Sequence, residues 1–271
     1  MLRFAHLTDT HILRSYSASS LKEIIPRIIR PENKLKACLK SIRGEAVDFV
    51  MVTGDLAHEG DREDYRYLRA MFDKELPGVP VVAALGNHDR KDAFFRGYLG
   101  ERARDAYYFQ TNIQGLRVIV LDSSVAGQEE GELSQQQIDW FADVLRQPAE
   151  RGSVLMLHHP IAWLEEKMSM QAPQGLIELL DHSDVRAVFC GHTHHNSCFM
   201  LGKVPQYAAD STAFGGVFWS EKVSFADTSG YSLASLSDNT LYVHHERVWP
   251  PVTQRVDFDL CHSCRTFSTT R

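Results

Sequence analysis

The chain has 271 residues, of which 44% are hydrophobic and 24% are charged, and its formal net charge is -6. The length suits one large domain with a buried core, and the composition is that of an ordinary globular protein. The acidic balance argues against a long nucleic acid as a partner, because lysine and arginine supply most of the affinity for a phosphate backbone.

The chain begins with an apolar run at residues 3–8, which predicts a strand, and it lacks the basic segment and apolar core of a signal peptide. No apolar run approaches the roughly 18 residues that a membrane helix needs. We therefore expect a cytoplasmic protein with no membrane partner. The segment 12–31 follows as a loop, with a short helix around residues 20–29.

Apolar strands and amphipathic helices then alternate. We predict a helix at 32–43, a strand at 47–52, a helix at 61–75 and a strand at 79–84. Such alternation indicates β-α-β units and a buried, largely parallel sheet.

The remainder of the chain contains further strands and helices. The predicted elements are, in order, a hairpin of 106–110 and 115–122 with its turn at 111–114, a helix from Ser134 to 146, a strand at 153–157, a helix at 172–181, a strand at 185–190, a strand-rich segment at 197–249 and a polar tail at 250–271. The five cysteines form no disulfide framework. Cys261 and Cys264 in the tail have no second pair beside them, which favours incidental cysteines over a zinc or redox site.

Five of the predicted strands end in polar clusters. These clusters are Asp9 with His11, Asp55, Asn87 with His88, His158 with His159, and His192 with His194. In an open α/β sheet, sites form at the carboxyl ends of the strands. We therefore expect the five clusters to converge in space.

Carboxylate, amide and imidazole ligands suit iron, manganese, zinc, cobalt or nickel. This donor set is too large for one ion and fits two ions roughly 3.5–4 Å apart, as in two-metal hydrolases. Asp55 stands alone at its strand end and is the candidate bridge. The spacing of His192 and His194 would let alternate residues of an extended segment address two neighbouring ions.

These motifs together carry a family resemblance. Asp9-x-His11, Gly54-Asp55, Gly86-Asn87-His88-Asp89, His158 and Gly191-His192-x-His194 resemble the calcineurin-like metallophosphoesterase superfamily. The resemblance implies an α/β fold, a four-layer αββα sandwich of two mixed β-sheets flanked by helices. We assign residues 1–249 to this domain, in which 205–249 would cover the substrate or form a dimer, and 250–271 to a C-terminal tail.

The resemblance also implies a role for each motif residue. One metal would be held by Asp9, His11, Asp55 and His194, and the other by Asp55, Asn87, His158 and His192. His158 is selected over His159 because the family ligand lies two residues before the proline. His88 would face the scissile phosphate as a proton donor or charge stabiliser, and Asp89 would orient it. A metal-bound hydroxide would attack phosphorus in line.

Differences from the motifs of other branches of the superfamily indicate which branch the chain resembles. Ser/Thr protein phosphatases carry Arg-Gly after the Gly-Asp, which is absent after Asp55, and purple acid phosphatases lack the histidine that His11 supplies. Gly54-Asp55-Leu56-Ala57-x-x-Gly60 and Leu121-Asp122-Ser123 resemble the class III cyclic-nucleotide and glycerophosphodiester phosphodiesterases. The resemblance therefore implies a phosphodiesterase acting on a small phosphodiester.

Several roles and functions stay open from the sequence. Asn87, His88, His159 and His195 are the candidate substrate contacts, although His159 and His195 could equally be exposed or support the ligands. His58 and the pair His244 and His245 are interpreted as surface residues. The alternative functions are a phosphomonoesterase or nuclease of the same superfamily, or a non-catalytic protein-binding scaffold, and a homo-oligomer is compatible with the sequence.

Overall fold

The computed structural model of the protein describes residues 1–219, 222–238 and 240–251. Thirteen strands in these ranges form two large mixed sheets and one separate hairpin. The strands are β1 (Leu2–Leu7), β2 (Phe49–Thr53), β3 (Val81–Ala84), β4 (Phe109–Ile113), β5 (Leu116–Val120), β6 (Ser153–Met156), β7 (Val185–Cys190), β8 (Ser197–Leu201), β9 (Val204–Ala208), β10 (Gly215–Trp219), β11 (Lys222–Ala226), β12 (Ser229–Ser237) and β13 (Thr240–Trp249).

The first sheet has the order β13-β12-β1-β2-β3, and the second has the order β4-β5-β6-β7-β9-β8. In the first sheet β1, β2 and β3 are parallel, and β12 and β13 add antiparallel strands on one side. In the second sheet β5, β6, β7 and β9 are parallel, and the edge strands β4 and β8 are antiparallel. The parallel strands β2, β5 and β6 are buried along their whole length and are mostly apolar, as expected for strands covered on both faces.

Helices cover the outer faces of the two sheets. They are α1 (Pro31–Gly44), α2 (Arg62–Glu75), α3 (Lys91–Phe94), α4 (Gln135–Leu145) and α5 (Leu176–Asp181). Asp61 caps α2 in a capping box with Asp64, and Ser134 caps α4 as predicted. Within the described residues, the structure contains no helix that combines the length and the apolar character of a membrane span.

Three apolar clusters show how the layers stack. One lies between the two sheets and joins Phe4 and Phe49 of the first sheet to Val118 and Phe189 of the second. A second lies between the first sheet and α1 and α2, and a third lies between the second sheet and α4 and α5. The order helix, sheet, sheet, helix confirms the predicted four-layer αββα sandwich.

Several predicted elements differ from the structure. The helix expected around 20–29 is two 3₁₀ turns, Ser20–Glu23 and Ile25–Arg27. Residues 111–113 belong to β4, and the hairpin turns instead at Gln114 and Gly115, which both have positive φ. The helix predicted from 172 begins only at Leu176, because Gly175 before it has left-handed geometry.

The carboxyl-terminal strands belong to the body of the fold. β12 pairs with the central strand β1, so most of the predicted segment 205–249 is part of the sandwich. Among the strands that the structure describes, only those of the β10–β11 hairpin belong to neither large sheet. Cys261 and Cys264 lie outside the described residues, and the tail boundary at residue 250 stays a prediction.

Candidate metal centre and active site

The polar clusters that follow five strands meet at one edge of the sandwich. Each cluster begins within two or three residues of a strand end, after β1, β2, β3, β6 and β7. Since β1, β2 and β3 are neighbours in one sheet and β6 and β7 in the other, the two sheets bring their carboxyl ends together. The convergence expected from the sequence is present.

Four side chains form a first donor group: Asp9, His11, Asp55 and His194. The Nε2 atoms of His11 and His194 lie 3.1 Å apart, and Asp9 Oδ1 lies 3.1 Å from His194 Nε2 and 3.9 Å from His11 Nε2. All four residues are less than 10% exposed. Asp9 Oδ1 is buried without a hydrogen-bond partner, as expected of an oxygen that serves as a metal ligand.

A second donor group contains Asp55, Asn87, His158 and His192 and shares Asp55 with the first. His158 Nε2 lies 3.1 Å from Asn87 Oδ1 and 3.5 Å from Asp55 Oδ2, while Asp55 Oδ2 lies 3.7 Å from His11 Nε2. The His192 ring centroid is 5.2 Å from that of His158. One carboxylate therefore lies between two sets of metal-ligating atoms.

Backbone carbonyls fix the proton on two of these imidazoles. His158 Nδ1 lies 2.7 Å from the Thr53 carbonyl oxygen, and His194 Nδ1 lies 2.7 Å from the Phe214 carbonyl oxygen. A carbonyl only accepts, so each Nδ1 donates, and once the ring is neutral its Nε2 lone pair faces the donor groups. This is the arrangement in which histidine binds a metal.

The charges of the site also fit a cation. Burial alone would raise the pKa of Asp55, but His158 and His11 lower it well below its ordinary value, so the carboxylate is ionised. Burial lowers the pKa of His158, yet Asp55 and its hydrogen bond raise it to about 9 overall. A proton held by His158 therefore balances the buried negative charge of Asp55. Bound divalent ions would balance the same charge in place of that proton.

Five of these residues have left-handed backbone geometry. The φ angles are 51° at Asp9, 45° at His11, 49° at Asp55, 69° at His192 and 50° at His194. Positive φ is uncommon outside glycine and is concentrated at functional sites. The expectation that His192 and His194 lie on an extended segment is therefore wrong: both sit in turns beyond β7, and the turns aim their side chains.

The turn Gly86-Asn87-His88-Asp89 approaches Asp55 closely. A Cβ on Gly86 would overlap the backbone nitrogen and the carboxylate of Asp55, so only glycine fits. The His88 backbone N–H donates to Asp55 Oδ1 at 2.9 Å, and the His88 side chain is 28% exposed. His88 thus belongs to the wall of the site and not to either donor group.

Asp89 does not contact the His88 ring, contrary to the sequence expectation. Its carboxylate accepts hydrogen bonds from the backbone N–H groups of Leu56, Ala57 and Gly86 and from the Tyr65 hydroxyl. These four donors occupy both oxygens. Asp89 holds the Asp55 loop against the turn that carries Asn87 and His88.

His159 and His195, whose roles the sequence left open, do not line the cavity over the donor groups. His159 is fully buried: its Nε2 donates to the Glu129 carbonyl oxygen at 3.0 Å, and its Nδ1 accepts from Ser123 Oγ at 2.9 Å. Both nitrogens are thereby used, which argues against a substrate contact. His195 is exposed, and its ring lies 6.1 Å from that of Trp163 outside the cavity over the site.

His58, which the sequence interpretation placed on the surface, is instead buried beside the first donor group. It is 4% exposed, and its Nδ1 lies 3.0 Å from His11 Nδ1. Its ring also packs against the His88 ring with a centroid distance of 4.1 Å. The only sequence signal was its place three residues after Asp55 in the same loop. His244 and His245, interpreted as surface residues, pair with Glu246 and Asp210 and join neither donor group.

A cavity of about 540 Å³ opens above the donor groups. Its floor carries His11, Asp55, Asn87, His88, His192 and His194. One wall is apolar and consists of Leu21 and Ile24 from the segment 12–31, together with Phe214 and Phe225 beside and on the β10–β11 hairpin. We call these four residues the apolar wall.

Known proteins share both the sequence and the fold. The family model for the calcineurin-like phosphoesterase matches residues 2–196. The chain is 34% identical to a probable cyclic nucleotide phosphodiesterase of Rhodococcus erythropolis, over 77% of this chain and 70% of the relative. It is 31% identical to a cAMP/cGMP dual specificity phosphodiesterase of Mycobacterium tuberculosis, over 77% of this chain and 67% of the relative. A dimetal phosphatase from Danio rerio shares the fold, with a TM-score of 0.62 at 14% identity over 91% and 96% of the two chains.

Proposed function

The chain belongs to the calcineurin-like phosphoesterase family and is therefore a hydrolase of phosphoric esters, and from this premise we propose that it hydrolyses 3′,5′-cyclic nucleotides. One observation carries the metal-dependent part of the proposal: Asp55 Oδ2 lies within 3.7 Å of His11 Nε2 and 3.5 Å of His158 Nε2. A carboxylate in this position can bridge two ions.

The first ion would be held by Asp9, His11, Asp55 and His194, and the second by Asp55, Asn87, His158 and His192. Oxygen and imidazole donors without thiolate support iron, manganese, zinc or cobalt. When bound, such ions supply positive charge to the phosphoryl oxygens and acidify the attacking water.

His88 would act on the phosphate from the side of the cavity. Its ring is partly exposed there, and its backbone N–H donates to Asp55 Oδ1, which fixes the ring relative to the candidate bridge. An imidazole so placed can hold a phosphoryl oxygen and donate a proton to the leaving oxygen. Asp89 would support this action by holding the turn and would not itself contact substrate.

The apolar wall supports a nucleotide over a glycerophosphodiester. Phe225 is 53% exposed and contacts Phe214 edge to face at 5.1 Å, so its ring offers a free surface beside the site. A nucleobase can stack on such a surface, whereas a glycerol group cannot. A cavity of about 540 Å³ also has the size of typical small-ligand sites.

The relatives point the same way, since the two reported above are named for cyclic nucleotides. Hydrolysis of such a small diester suits the cytoplasmic location expected from the sequence, which stays a prediction together with any homo-oligomer.

A kinetic panel tests the proposal. Manganese-loaded enzyme is assayed on 3′,5′-cyclic AMP, on a glycerophosphodiester and on 5′-AMP at matched concentrations. We expect the largest kcat/KM for cyclic AMP. Hydrolysis of 5′-AMP faster than that of cyclic AMP would make the protein a phosphomonoesterase. Hydrolysis of the glycerophosphodiester faster than that of cyclic AMP would overturn the proposed nucleotide substrate but not the phosphodiesterase activity. Two bound ions without any hydrolysis would favour the scaffold.

A further inference from the structure

His11 differs from His158 and His194 in the partner of its Nδ1 atom. The Nδ1 atoms of His158 and His194 face backbone carbonyls, whereas His11 Nδ1 faces His58 Nδ1 at 3.0 Å. A carbonyl can only accept a hydrogen bond, but an imidazole nitrogen can either donate or accept. The proton position on His11 therefore depends on its neighbour.

His58 has a second partner on its other side. Its Nε2 lies 2.7 Å from the hydroxyl oxygen of Ser20, which begins the 3₁₀ turn Ser20–Glu23 in the segment 12–31. The three side chains form a continuous hydrogen-bonded chain from that segment to the first donor group. We call it the Ser20–His58–His11 relay.

Only one direction of this relay leaves His11 able to bind an ion. If His58 Nε2 donates to Ser20, His58 Nδ1 accepts from His11 Nδ1–H, and the His11 Nε2 lone pair faces Asp9 and Asp55. In the opposite direction, Ser20 donates to His58 and His58 donates to His11, which places the proton of a neutral His11 on Nε2 and blocks ligation.

We propose that His58 is a positioning residue that fixes the metal-binding tautomer of His11. In this proposal, Ser20 sets the direction of the hydrogen bonds in the relay by accepting from His58 Nε2. The inference rests on the proposed ligand role of His11. Through Ser20, the segment 12–31 is then connected to the metal centre. The same segment also supplies Leu21 and Ile24 to the apolar wall.

The packing of His58 explains why it can do this. The residue is 4% exposed, and its ring packs against both His11, at a centroid distance of 5.1 Å, and His88, at 4.1 Å. Both ring nitrogens of His58 have a partner and the ring also contacts His88, so these three contacts together hold the imidazole beside His11.

Metal affinity of full-length variants tests the relay. His58→Leu removes the acceptor, and we expect it to weaken one of the two ions about 10- to 100-fold, as for other residues that support a ligand. His58→Asn places an amide oxygen near the former Nδ1 and should restore most of this affinity. Ser20→Ala should weaken the same ion less than His58→Leu, whereas Ser15→Ala, an exposed serine in the same segment, should have no effect.

Nitrogen NMR on the zinc-loaded wild-type enzyme gives a readout independent of activity and of variant folding. We expect His58 to carry its proton on Nε2 and to accept on Nδ1. A proton on His58 Nδ1, equal loss of metal in His58→Asn and His58→Leu, or wild-type affinity in His58→Leu would each overturn the relay. Failure of the wild-type protein to bind two ions would instead overturn the proposed metal centre.

Discussion

The Tyr65 hydroxyl donates a 2.7 Å hydrogen bond to the Asp89 carboxylate, and both groups are buried behind the turn that carries Asn87 and His88. The same carboxylate accepts three backbone hydrogen bonds, from Leu56, Ala57 and Gly86. Burial and the nearby charge of Asp55 raise the pKa of Asp89 to about 6. Asp89 therefore supports the site through the backbone.

The first prediction concerns this support. Asp89→Asn replaces one accepting oxygen by an NH₂ group that faces backbone donors, and we expect it to lower the free energy of unfolding by about 1–3 kcal/mol. Urea denaturation of the chelator-treated protein measures this loss. Tyr65→Phe, which leaves the carboxylate and its backbone donors intact, should lose less. Equal losses in the two variants would contradict the assignment.

The second prediction separates His88 from the metal ligands. His88→Ala should keep both ions and lose about 10²- to 10⁴-fold in kcat, the range typical of a removed general acid. Metal analysis and steady-state kinetics on the same preparation provide the two measurements. Loss of an ion from this variant would show that His88 is a ligand.

The third prediction tests the bridge. Asp55→Asn should weaken both ions together, because a neutral amide bridges two cations poorly. Asp9→Asn is the matched control and should weaken only one ion, since Asp9 belongs to the first donor group alone. Competition with a chelator of known affinity measures both sites. If Asp55→Asn releases a single ion, Asp55 is an ordinary ligand.

The fourth prediction concerns Phe225 of the apolar wall. Phe225→Ala should lower kcat/KM for cyclic AMP at least about fivefold, because base–aromatic stacking contributes about 1–3 kcal/mol. The rate on a glycerophosphodiester should stay unchanged. Tyr242→Ala, an exposed aromatic residue on β13, serves as the control. An equal fall on both substrates would mean that Phe225 supports the hairpin instead of the base.

The residue patterns alone predicted a buried, largely parallel sheet and the convergence of five strand ends, because these features depend on the local sequence. The two-sheet αββα sandwich was predicted only through the family resemblance. Almost unbroken apolar runs such as 47–52 mark buried parallel strands, and the polar residues that follow them must lie at the carboxyl edge of the sheet. The proposed bridging role of Asp55 followed from its solitary position at such an end, and its Oδ2 lies within 3.7 Å of the Nε2 atoms of both His11 and His158.

The roles of His58, His159 and Asp89 could not be predicted, because each depends on contacts distant in sequence. His58 forms a hydrogen bond with Ser20, 38 positions away, and His159 forms one with Ser123, 36 positions away. The acceptors and donors that use up an imidazole or a carboxylate are invisible in the local pattern. The two 3₁₀ turns in the segment 12–31 likewise had no periodic signal.

The left-handed backbone geometry of five residues has a consequence for how this enzyme would lose its activity in evolution. These residues are Asp9, His11, Asp55, His192 and His194. A side chain at such a φ costs about 1–2 kcal/mol that glycine avoids. In the metal-free chain, glycine in place of a ligand would therefore relieve more backbone strain than alanine would, and some inactive descendants would fold more stably than their active parent. Only continued selection for catalysis keeps imidazole and carboxylate groups at positions where the backbone prefers glycine.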